Sequence, residues 1–309
     1  MNIDFLQPSV ALEYFFLVKI YGFCYTLLGS DTMEYSPKKM NEILEKNNFN
    51  FKKKFGQNFI IDENIISSIV TKSGIDKDTL VIEIGPGAGS LTSKLAEFSK
   101  NVLCYEIDTT LKEILNENLK NTNNVEIIYQ DFLQADVVKD IKKYNYKKLY
   151  IVANLPYYIT TPIIIHVIEE NLNVDKMVVM VQKEVGDRFK AQPGSKDYNS
   201  LSIYLNYYFG VKKLMDISKN IFLPKPNVDS IVVEFTKKEN RYHLIDEQLF
   251  FKLIRDSFTQ KRKTIRNNLK NYDLNKIEEV LKKHHQDLST RAEQITIETF
   301  VEIANNLTK

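Results

Sequence analysis

Short apolar runs alternate with amphipathic stretches along the first two thirds of the chain. Continuous apolar runs are typical of strands buried on both faces, and the helical periodicity between them indicates helices. Because strands and helices alternate in this order, the pattern predicts a doubly wound, Rossmann-like α/β sheet with helices on both faces. The runs interpreted as strands are residues 80–84, 102–106, 125–129, 149–153 and 177–181, with later ones at 211–217 and 231–235.

The alternation stops near Lys238, and the rest of the chain has the periodicity of several short helices. We therefore predict an α/β domain at 34–238 and a small all-helical domain at 239–309. The segments predicted to be helical in the second domain are residues 248–258, 261–269, 274–283 and 297–307.

The first 33 residues fit neither domain. Residues 5–28 are apolar and aromatic, but Pro8, Glu13 and Lys19 interrupt them, and a membrane span rarely holds two charges. The basic start of a secretory signal is missing, as is the arginine richness of a transit peptide. We interpret 1–33 as an N-terminal extension of unknown status, most simply non-native or upstream-start sequence. A weak anchor and an extra packed helix are the alternatives.

Composition excludes some classes of protein but selects none. Hydrophobic residues make up 43% of the chain, which suffices for an ordinary core, and the net charge is only +2. The two cysteines, Cys24 and Cys104, and the four histidines match no disulfide framework and no zinc spacing. We therefore expect a cytoplasmic, metal-free protein with no stable membrane association.

Positive charge is concentrated locally. Between Lys252 and Lys270, seven basic residues stand against Asp256 alone, and a second lysine run occupies 52–54. Such clusters on a nearly neutral chain are typical of a surface that docks a polyanion, although a solvated helix face has the same composition. The residues that we predict to make these contacts are Lys261, Arg262, Lys263 and Arg266.

A glycine-rich turn, Gly85-Pro86-Gly87-Ala88-Gly89-Ser90, separates the first predicted strand from the next helix. Glycines there let the backbone approach a ligand closely and let N–H groups at the helix start point toward it. A dinucleotide fingerprint would need glycine at the position of Ser90, so a pyrophosphate ligand is disfavoured. A tight turn without a ligand is the alternative for this segment taken alone.

Acidic residues stand at the ends of the next two predicted strands. Glu106 can accept hydrogen bonds from a ribose diol in the crevice beyond the strand ends, and Asp131 can accept one from an adenine amine. Either acid alone would be an ordinary helix cap or loop acid. Together with the glycine turn, they predict a pocket for an adenosine without a diphosphate, and S-adenosylmethionine fits that description.

The fourth predicted strand runs into Asn154-Leu155-Pro156-Tyr157 at the same edge of the sheet. The N6 amine of adenine is a poor nucleophile because its lone pair is delocalised into the ring. The amide oxygen of Asn154 and a backbone carbonyl of Leu155 or Pro156 can accept both N6 hydrogens and free that lone pair. Tyr157 can stack on the base and Phe222 can close its other face. An ordinary Asn-x-Pro turn with a core tyrosine is the alternative.

These motifs together resemble the small-subunit ribosomal RNA adenine dimethyltransferases of the KsgA type. The resemblance runs from about Phe55 to the C-terminus, and it departs from the family pattern in the first 33 residues and at Ile60, where leucine is usual. The segments that carry it are residues 55–60, 83–89, 154–157, 181–185, 193–198, 222–230 and 291–293.

The resemblance implies a cofactor, a reaction and partners. It implies dimethylation by S-adenosylmethionine of two neighbouring adenosines near the 3′ end of small-subunit rRNA, late in subunit maturation. Residues 34–238 would then be the methyltransferase domain and 239–309 an RNA-binding domain. The partners would be the small-subunit rRNA and the pre-mature small ribosomal subunit, and we expect a monomer. The implied cofactor contacts are Gln57, Asn58, Ile60, Gly85, Gly87, Glu106, Asp131 and Asn154.

Two other functions stay open on the sequence alone. Large-subunit rRNA adenine methyltransferases of the macrolide-resistance type share the first four motifs, whereas segments 193–198 and 291–293 favour the small-subunit group. A non-catalytic RNA-binding assembly factor could keep the same fold. Such a binder would have no need of N6 acceptors around Asn154, so the intact motif disfavours it.

Overall fold

In a computed structural model, which describes residues 37–47, 49–52, 55–170, 172–239 and 242–309, the main sheet has seven strands. The strands are β2 (Thr79–Ile84), β3 (Asn101–Tyr105), β4 (Val125–Ile128), β5 (Lys148–Asn154), β6 (Lys176–Gln182), β7 (Phe209–Ile217) and β9 (Ser230–Lys237). Their order across the sheet is β4-β3-β2-β5-β6-β9-β7. The predicted extension 1–33 lies outside the described residues.

Strands β2 to β6 pair in parallel, and β9 and β7 add antiparallel strands at one edge. A separate two-stranded sheet pairs β1 (Phe59–Ile60) with β8 (Phe222–Leu223) in antiparallel fashion. Each run predicted to be a strand of the main sheet coincides with one of its strands. The predicted doubly wound α/β sheet is therefore confirmed.

Helices cover both faces of the sheet because alternate residues of each buried strand point to opposite sides. Leu80 and Ile82 of β2 belong to one core cluster, and Val81 between them belongs to another. The helices connecting and covering the strands are α1 (Pro37–Lys46), α2 (Glu63–Ser73), α3 (Ser90–Phe98), α4 (Lys112–Asn118), α5 (Val137–Ile141), α6 (Thr160–Glu169), α7 (Lys183–Phe189) and α8 (Ser200–Tyr208).

The two faces carry different helices. The cluster that contains Val81 receives α2 and α3, through residues such as Ile66 and Leu95. The opposite cluster receives α5 to α8, through residues such as Ile164 and Leu205. Both faces of the parallel strands are thereby buried, which leaves their carboxyl ends as the open edge where loops can form a site.

The chain after β9 is helical, as the loss of the β pattern predicted. Its helices are α9 (Glu247–Ser257), α10 (Ile265–Asn268), α11 (Leu274–Lys283) and α12 (Ile297–Thr308). They pack around a third core cluster, to which α8 adds Ile203 and Tyr207. Helix α8 thus packs into both the sheet and the helical part, and a domain boundary near Lys238 stays a prediction.

One predicted helix is too long. The sequence predicts a helix near 261–269, but α10 begins only at Ile265, and residues 261–262 form a turn. The backbone N–H of Lys263 donates to the carbonyl of Gln260 at 2.9 Å, which closes that turn. Within the described segments, no helix is long and apolar enough to cross a membrane.

Candidate active site

A pocket opens at the carboxyl ends of β2, β3, β4 and β5, where the glycine turn and the Asn154 loop meet. Segment 55–60, which leads into β1, lines it as well. The sequence therefore predicted correctly that these strand ends converge, since parallel strands bring their carboxyl ends to one edge. The predicted residues that line the pocket are Gln57, Asn58, Ile60, Gly85, Gly87, Glu106, Asp131, Asn154, Leu155, Pro156 and Tyr157.

The glycine turn is shaped for a close approach to its backbone. Gly85 and Gly87 have φ angles of 72° and 58°, in the left-handed region that favours glycine. A Cβ atom on Gly85 would meet nothing within 4 Å, so open pocket space lies directly beside this backbone. A Cβ atom on Gly87 would lie 2.9 Å from the ring of Phe59, so this glycine is needed for packing.

Glu106 is a buried carboxylate with its position fixed by the backbone. The N–H of Asp108 donates to Oε1 at 2.8 Å, and the N–H of Gly87 donates to Oε2 at 3.2 Å. Burial raises the pKa of Glu106 to about 7, although these two hydrogen bonds act in the opposite direction. Each oxygen keeps capacity for a further donor, which suits a carboxylate that accepts hydroxyl groups.

Glu83, which the sequence analysis did not single out, lies behind the glycine turn and also lines the pocket. It is 1% exposed, and burial raises its pKa to about 8. The thiol of Cys104 donates to its Oε2 at 3.7 Å. The available signal was an acid inside the apolar run 80–84, because a charged residue is rarely buried there without a role.

Asp131 is a helix cap, one of the roles considered for it, and its role as an acceptor for an adenine amine stays a prediction. Its Oδ1 accepts the backbone N–H of Leu133 at 3.0 Å and so caps a short 3₁₀ helix, Phe132–Gln134. The residue also lines the pocket. The cap therefore holds the carboxylate at the pocket edge.

The Asn154 side chain is anchored by segment 55–60. Its Nδ2 donates to the backbone carbonyl of Asn58 at 2.8 Å, so the amide nitrogen is engaged and Oδ1 is the atom that remains as an acceptor. Of the two candidate backbone acceptors, Pro156 is already engaged. Its carbonyl accepts the N–H of Ile159 at 3.2 Å and the hydroxyl of Thr160 at 3.1 Å.

Tyr157 is partly buried and lies at the pocket, with its hydroxyl 2.7 Å from Oγ of Ser230. Since Ser230 is fully buried at the start of β9, this contact fixes the far end of the tyrosine ring. The hydroxyl contact thus anchors the ring at the pocket.

Phe222 does not occupy the position expected for it. It is 2% exposed, pairs with Ile60 across the β1–β8 sheet, and belongs to the core cluster under that sheet. It is not among the residues that line the pocket. The interpretation that Phe222 closes the second face of a base is therefore corrected, because its ring is used in core packing.

An exposed aromatic ring lies at the pocket instead. Tyr158 is 54% exposed and lines the pocket beside Gly56. A Cβ atom on Gly56 would lie 3.2 Å from Cδ1 of Tyr158, so the glycine lets the ring pack closely on the segment. Tyr158 was not predicted as a site residue, and the signal in the sequence was a second aromatic residue directly after Asn154-Leu155-Pro156-Tyr157.

The side chain of Gln57 is engaged within the protein. Its Nε2 donates to Oδ2 of Asp108 at 2.7 Å, and its Oε1 accepts the backbone N–H of Lys52 at 2.8 Å. A cofactor contact of Gln57 would therefore come from its backbone. The same holds for Ile60, which is 3% exposed in the core.

The predicted RNA-contacting residues lie on one stretch of the helical part. Lys261, Arg262 and Lys263 are exposed in the turn between α9 and α10, and Arg266 is exposed on α10. The ammonium group of Lys261 donates to the carbonyl of Lys196 at 2.7 Å, which ties this turn to segment 193–198. In the part of the chain that the structure describes, no group of three or more His, Cys, Asp or Glu residues could hold a metal ion.

Comparison with known proteins supports one family. The family model "Ribosomal RNA adenine dimethylase" matches residues 48–309. Curated relatives named "Ribosomal RNA small subunit methyltransferase A" include one from Macrococcus caseolyticus, 45% identical over 290 residues, covering 90% of this chain and 98% of the relative. The relative from Bacillus pumilus is 47% identical over 284 residues, covering 89% and 97%.

Solved structures share the fold. A dimethyladenosine transferase from Plasmodium falciparum superimposes with a TM-score of 0.66 at 24% identity, covering 79% of this chain and 95% of that one. The 23S rRNA methyltransferase ErmE gives a TM-score of 0.65 at 23% identity, covering 82% and 100%. The resemblance noted from the motifs is confirmed by the family model and the curated relatives, and the chain belongs to the ribosomal RNA adenine dimethylase family.

Proposed function

We propose that this protein dimethylates N6 of two neighbouring adenosines near the 3′ end of small-subunit rRNA, with S-adenosylmethionine as methyl donor. The observation that carries the proposal is the anchored amide of Asn154, whose Oδ1 is left as an acceptor in the same pocket as the Gly85 turn. The names of relatives that are 45% and 47% identical favour the small subunit over the large one.

The residues around the pocket fit the proposed cofactor. Glu106 would accept the ribose hydroxyls, because its buried carboxylate is held in place by two backbone donors. The open space beside Gly85 would accept the part of the ligand that lies against the turn, and Asp131 would accept the adenine amine. The backbone of segment 57–60 would complete the site together with Gly87 and Asn154.

S-adenosylmethionine supplies a methyl group that is already activated by its attachment to a sulfonium. The protein therefore has to position the adenine and prepare its amine. Oδ1 of Asn154 accepts one N6 hydrogen, and the carbonyl of Leu155 accepts the other. The Pro156 carbonyl is not used because it already accepts two hydrogen bonds within the protein. Drawing both hydrogens out of the ring plane frees the nitrogen lone pair. The alkylated amine is acidic enough to lose its proton without a dedicated base.

Aromatic rings would hold the flipped base. Tyr157 is fixed at its hydroxyl by Ser230 and stacks on the target adenine. Tyr158 offers an exposed ring at the same pocket and takes the place first assigned to Phe222. Stacking on aromatic side chains is a common way to bind unstacked RNA bases.

The helical part at 239–309 would bind the RNA and so serve as a domain separate from the methyltransferase domain at 34–238. The exposed basic residues in the turn before α10 and on α10 would contact phosphates of the rRNA. The substrate particle would be a pre-mature small ribosomal subunit in the cytoplasm, acted on by a monomer.

The test is methyl transfer from labelled S-adenosylmethionine to small-subunit particles that lack the modification, compared with protein-free large-subunit rRNA. We expect two N6,N6-dimethyladenosines, mapped by mass spectrometry, in the small-subunit rRNA alone. Modification of only the large-subunit RNA would replace the proposal with the macrolide-resistance activity. Absence of S-adenosylmethionine binding by calorimetry would replace it with a non-catalytic assembly role.

A further inference from the structure

Lys52 lies at the centre of a hydrogen-bonded network beside the loop that follows β3. Its ammonium group lies 2.6 Å from Oδ1 of Asp108 and 2.8 Å from Oγ1 of Thr110. Gln57 completes the network, since its Nε2 donates to Oδ2 of Asp108 at 2.7 Å and its Oε1 accepts the N–H of Lys52 at 2.8 Å. Two segments more than fifty residues apart are thereby joined.

Asp108 needs these partners because it is buried. Its side chain is only 2% exposed, and an unpaired carboxylate in that position would be costly. Burial by itself would raise the pKa of Asp108, but the hydrogen bonds from Lys52, Thr110 and Gln57 bring it below its ordinary value. Lys52 is thus the cation that allows Asp108 to stay charged at this place.

The network leads directly to the pocket. The backbone N–H of Asp108 is the donor that holds Oε1 of Glu106 at 2.8 Å. On the other side, Gln57 is followed by Asn58, whose carbonyl receives the amide of Asn154. The segment that Lys52 fastens therefore contacts both the proposed ribose acceptor, through Asp108, and the proposed N6 acceptor.

We propose that Lys52 is a positioning residue for cofactor binding, which acts by fixing Asp108 and thereby the orientation of the Glu106 carboxylate. This inference rests on the proposed function, because it takes Glu106 to be the ribose acceptor. It also changes the interpretation of Lys52, the first residue of the lysine run 52–54, which the sequence analysis grouped with polyanion-binding clusters. The ammonium group of Lys52 is paired with a buried acid of the protein, whereas a phosphate contact would need it to face the RNA.

The experiment compares Lys52→Met with Lys52→Arg, and with Lys120→Met as a control at an exposed lysine outside the hydrogen-bonded network. Three quantities are measured: the Kd for S-adenosylhomocysteine by calorimetry, the KM for S-adenosylmethionine with kcat at saturation, and the Kd for rRNA. We expect Lys52→Met to raise the cofactor Kd and KM about tenfold. A hydrogen bond to a charged group contributes enough free energy for a change of this size, even when it acts on the cofactor through a neighbouring residue. Its kcat and RNA affinity should stay near the wild-type values, and Lys52→Arg should restore most of the loss.

Asp108→Asn adds a second test, so that the result does not depend on whether Lys52→Met folds correctly. If the two residues act as one unit, the double variant Lys52→Met/Asp108→Asn should lose much less cofactor affinity than the sum of the single variants. Unchanged cofactor affinity in Lys52→Met, or an additive double variant, would overturn the inference. A weakened RNA affinity with normal cofactor binding would make Lys52 an RNA contact instead.

Glu106→Gln separates this inference from the proposed function. If Glu106→Gln leaves the cofactor Kd unchanged, the proposed ribose site is wrong and the inference falls with it. If Glu106→Gln weakens binding but Lys52→Met does not, the proposed site stands and only the positioning role of Lys52 is wrong.

Discussion

Asn154 at the end of β5 and Asn58 in the segment before β1 are joined by a hydrogen bond of 2.8 Å, from the amide nitrogen of the first to the backbone carbonyl of the second. The bond has two consequences for the site. It orients the amide so that its oxygen is the free acceptor, and it holds the segment that lines the pocket on the side proposed for the cofactor. One side chain thereby connects the proposed places of both reactants.

Replacing Asn154 with alanine should slow methyl transfer while leaving the protein folded. We expect kcat/KM for rRNA to fall by an amount equivalent to about 2–4 kcal/mol, the usual effect of removing one preorganised polar group from an active site. The Kd for S-adenosylhomocysteine should rise by less than about tenfold, since the variant keeps the backbone of Asn154 at the pocket and the lost side-chain bond contributes only about 0.5–1.5 kcal/mol. Single-turnover rates measure the first quantity and calorimetry the second. Unchanged turnover would show that Asn154 is not an N6 acceptor.

The pKa of Glu106 predicts a pH dependence of cofactor binding. Burial raises this pKa to about 7, so the group is neutral below that pH and a weaker acceptor for ribose hydroxyls. If binding requires the carboxylate, the Kd should rise up to about tenfold between pH 8 and pH 6, the limit for one group of that pKa.

Glu106→Gln is the matched control, because it removes the titration while keeping the shape. At pH 8 the Kd of Glu106→Gln for S-adenosylhomocysteine should be higher than that of the wild type. It should change with pH only through titration of the amino group of the ligand. Calorimetry at pH 6, 7 and 8 with both proteins gives the comparison. Parallel pH profiles for the two proteins would contradict the assignment of Glu106.

The turn before α10 should set the salt dependence of RNA binding. Neutralising Arg262 and Lys263 together should lower the slope of log Kd against log salt by roughly two units, about one for each phosphate contact. Lys261 is left out of this variant because its ammonium group also binds the carbonyl of Lys196. Lys282→Gln/Lys283→Gln is the control, since these exposed lysines pair with glutamates on α11. Equal slopes for the two double variants would mean that the turn faces solvent.

Tyr158→Ala should lower kcat/KM for rRNA. It should not destabilise the protein, because Tyr158 is 54% exposed. Loss of one stacked base costs about 1–3 kcal/mol in other RNA- and DNA-binding proteins, and we expect a loss in that range in kcat/KM for RNA. Tyr158→Phe keeps the ring and should be nearly normal. A loss in Tyr158→Phe as large as in Tyr158→Ala would indicate that the hydroxyl is important and stacking is not.

Phe222→Ala should show the opposite pattern. The ring is 2% exposed in the core under the β1–β8 sheet, so its removal should lower the free energy of unfolding by about 3–5 kcal/mol. Denaturant unfolding of the purified variant measures this change. A stable variant with a selective defect in RNA methylation would restore the stacking role first expected for Phe222.

The parts of the site that could be predicted from the sequence are those in which local sequence decides position. A buried parallel strand followed by a glycine turn places Gly85 at the sheet edge, and the same rule places Glu106 and Asn154 beside it. The core position of Phe222 could not be read in this way. It depends on pairing with Ile60, more than 150 residues away, and periodicity carries no information on such pairing.

The pairing of Lys52 with Asp108 could not be predicted for a related reason. A lysine beside two others has the composition of a polyanion-binding run, and its pairing with Asp108 appears only when segment 49–52 folds against the loop after β3. The predicted start of α10 was wrong for a local reason, because a basic stretch can form a closed turn as readily as a helix.

The most direct test is a crystal structure of the protein with S-adenosylhomocysteine bound. We expect the ribose hydroxyls on Glu106, the ligand against the Gly85 turn, and the sulfur on the side of the pocket where Oδ1 of Asn154 lies. A ligand bound away from Glu106, or one whose sulfur faces away from Asn154, would contradict this expectation.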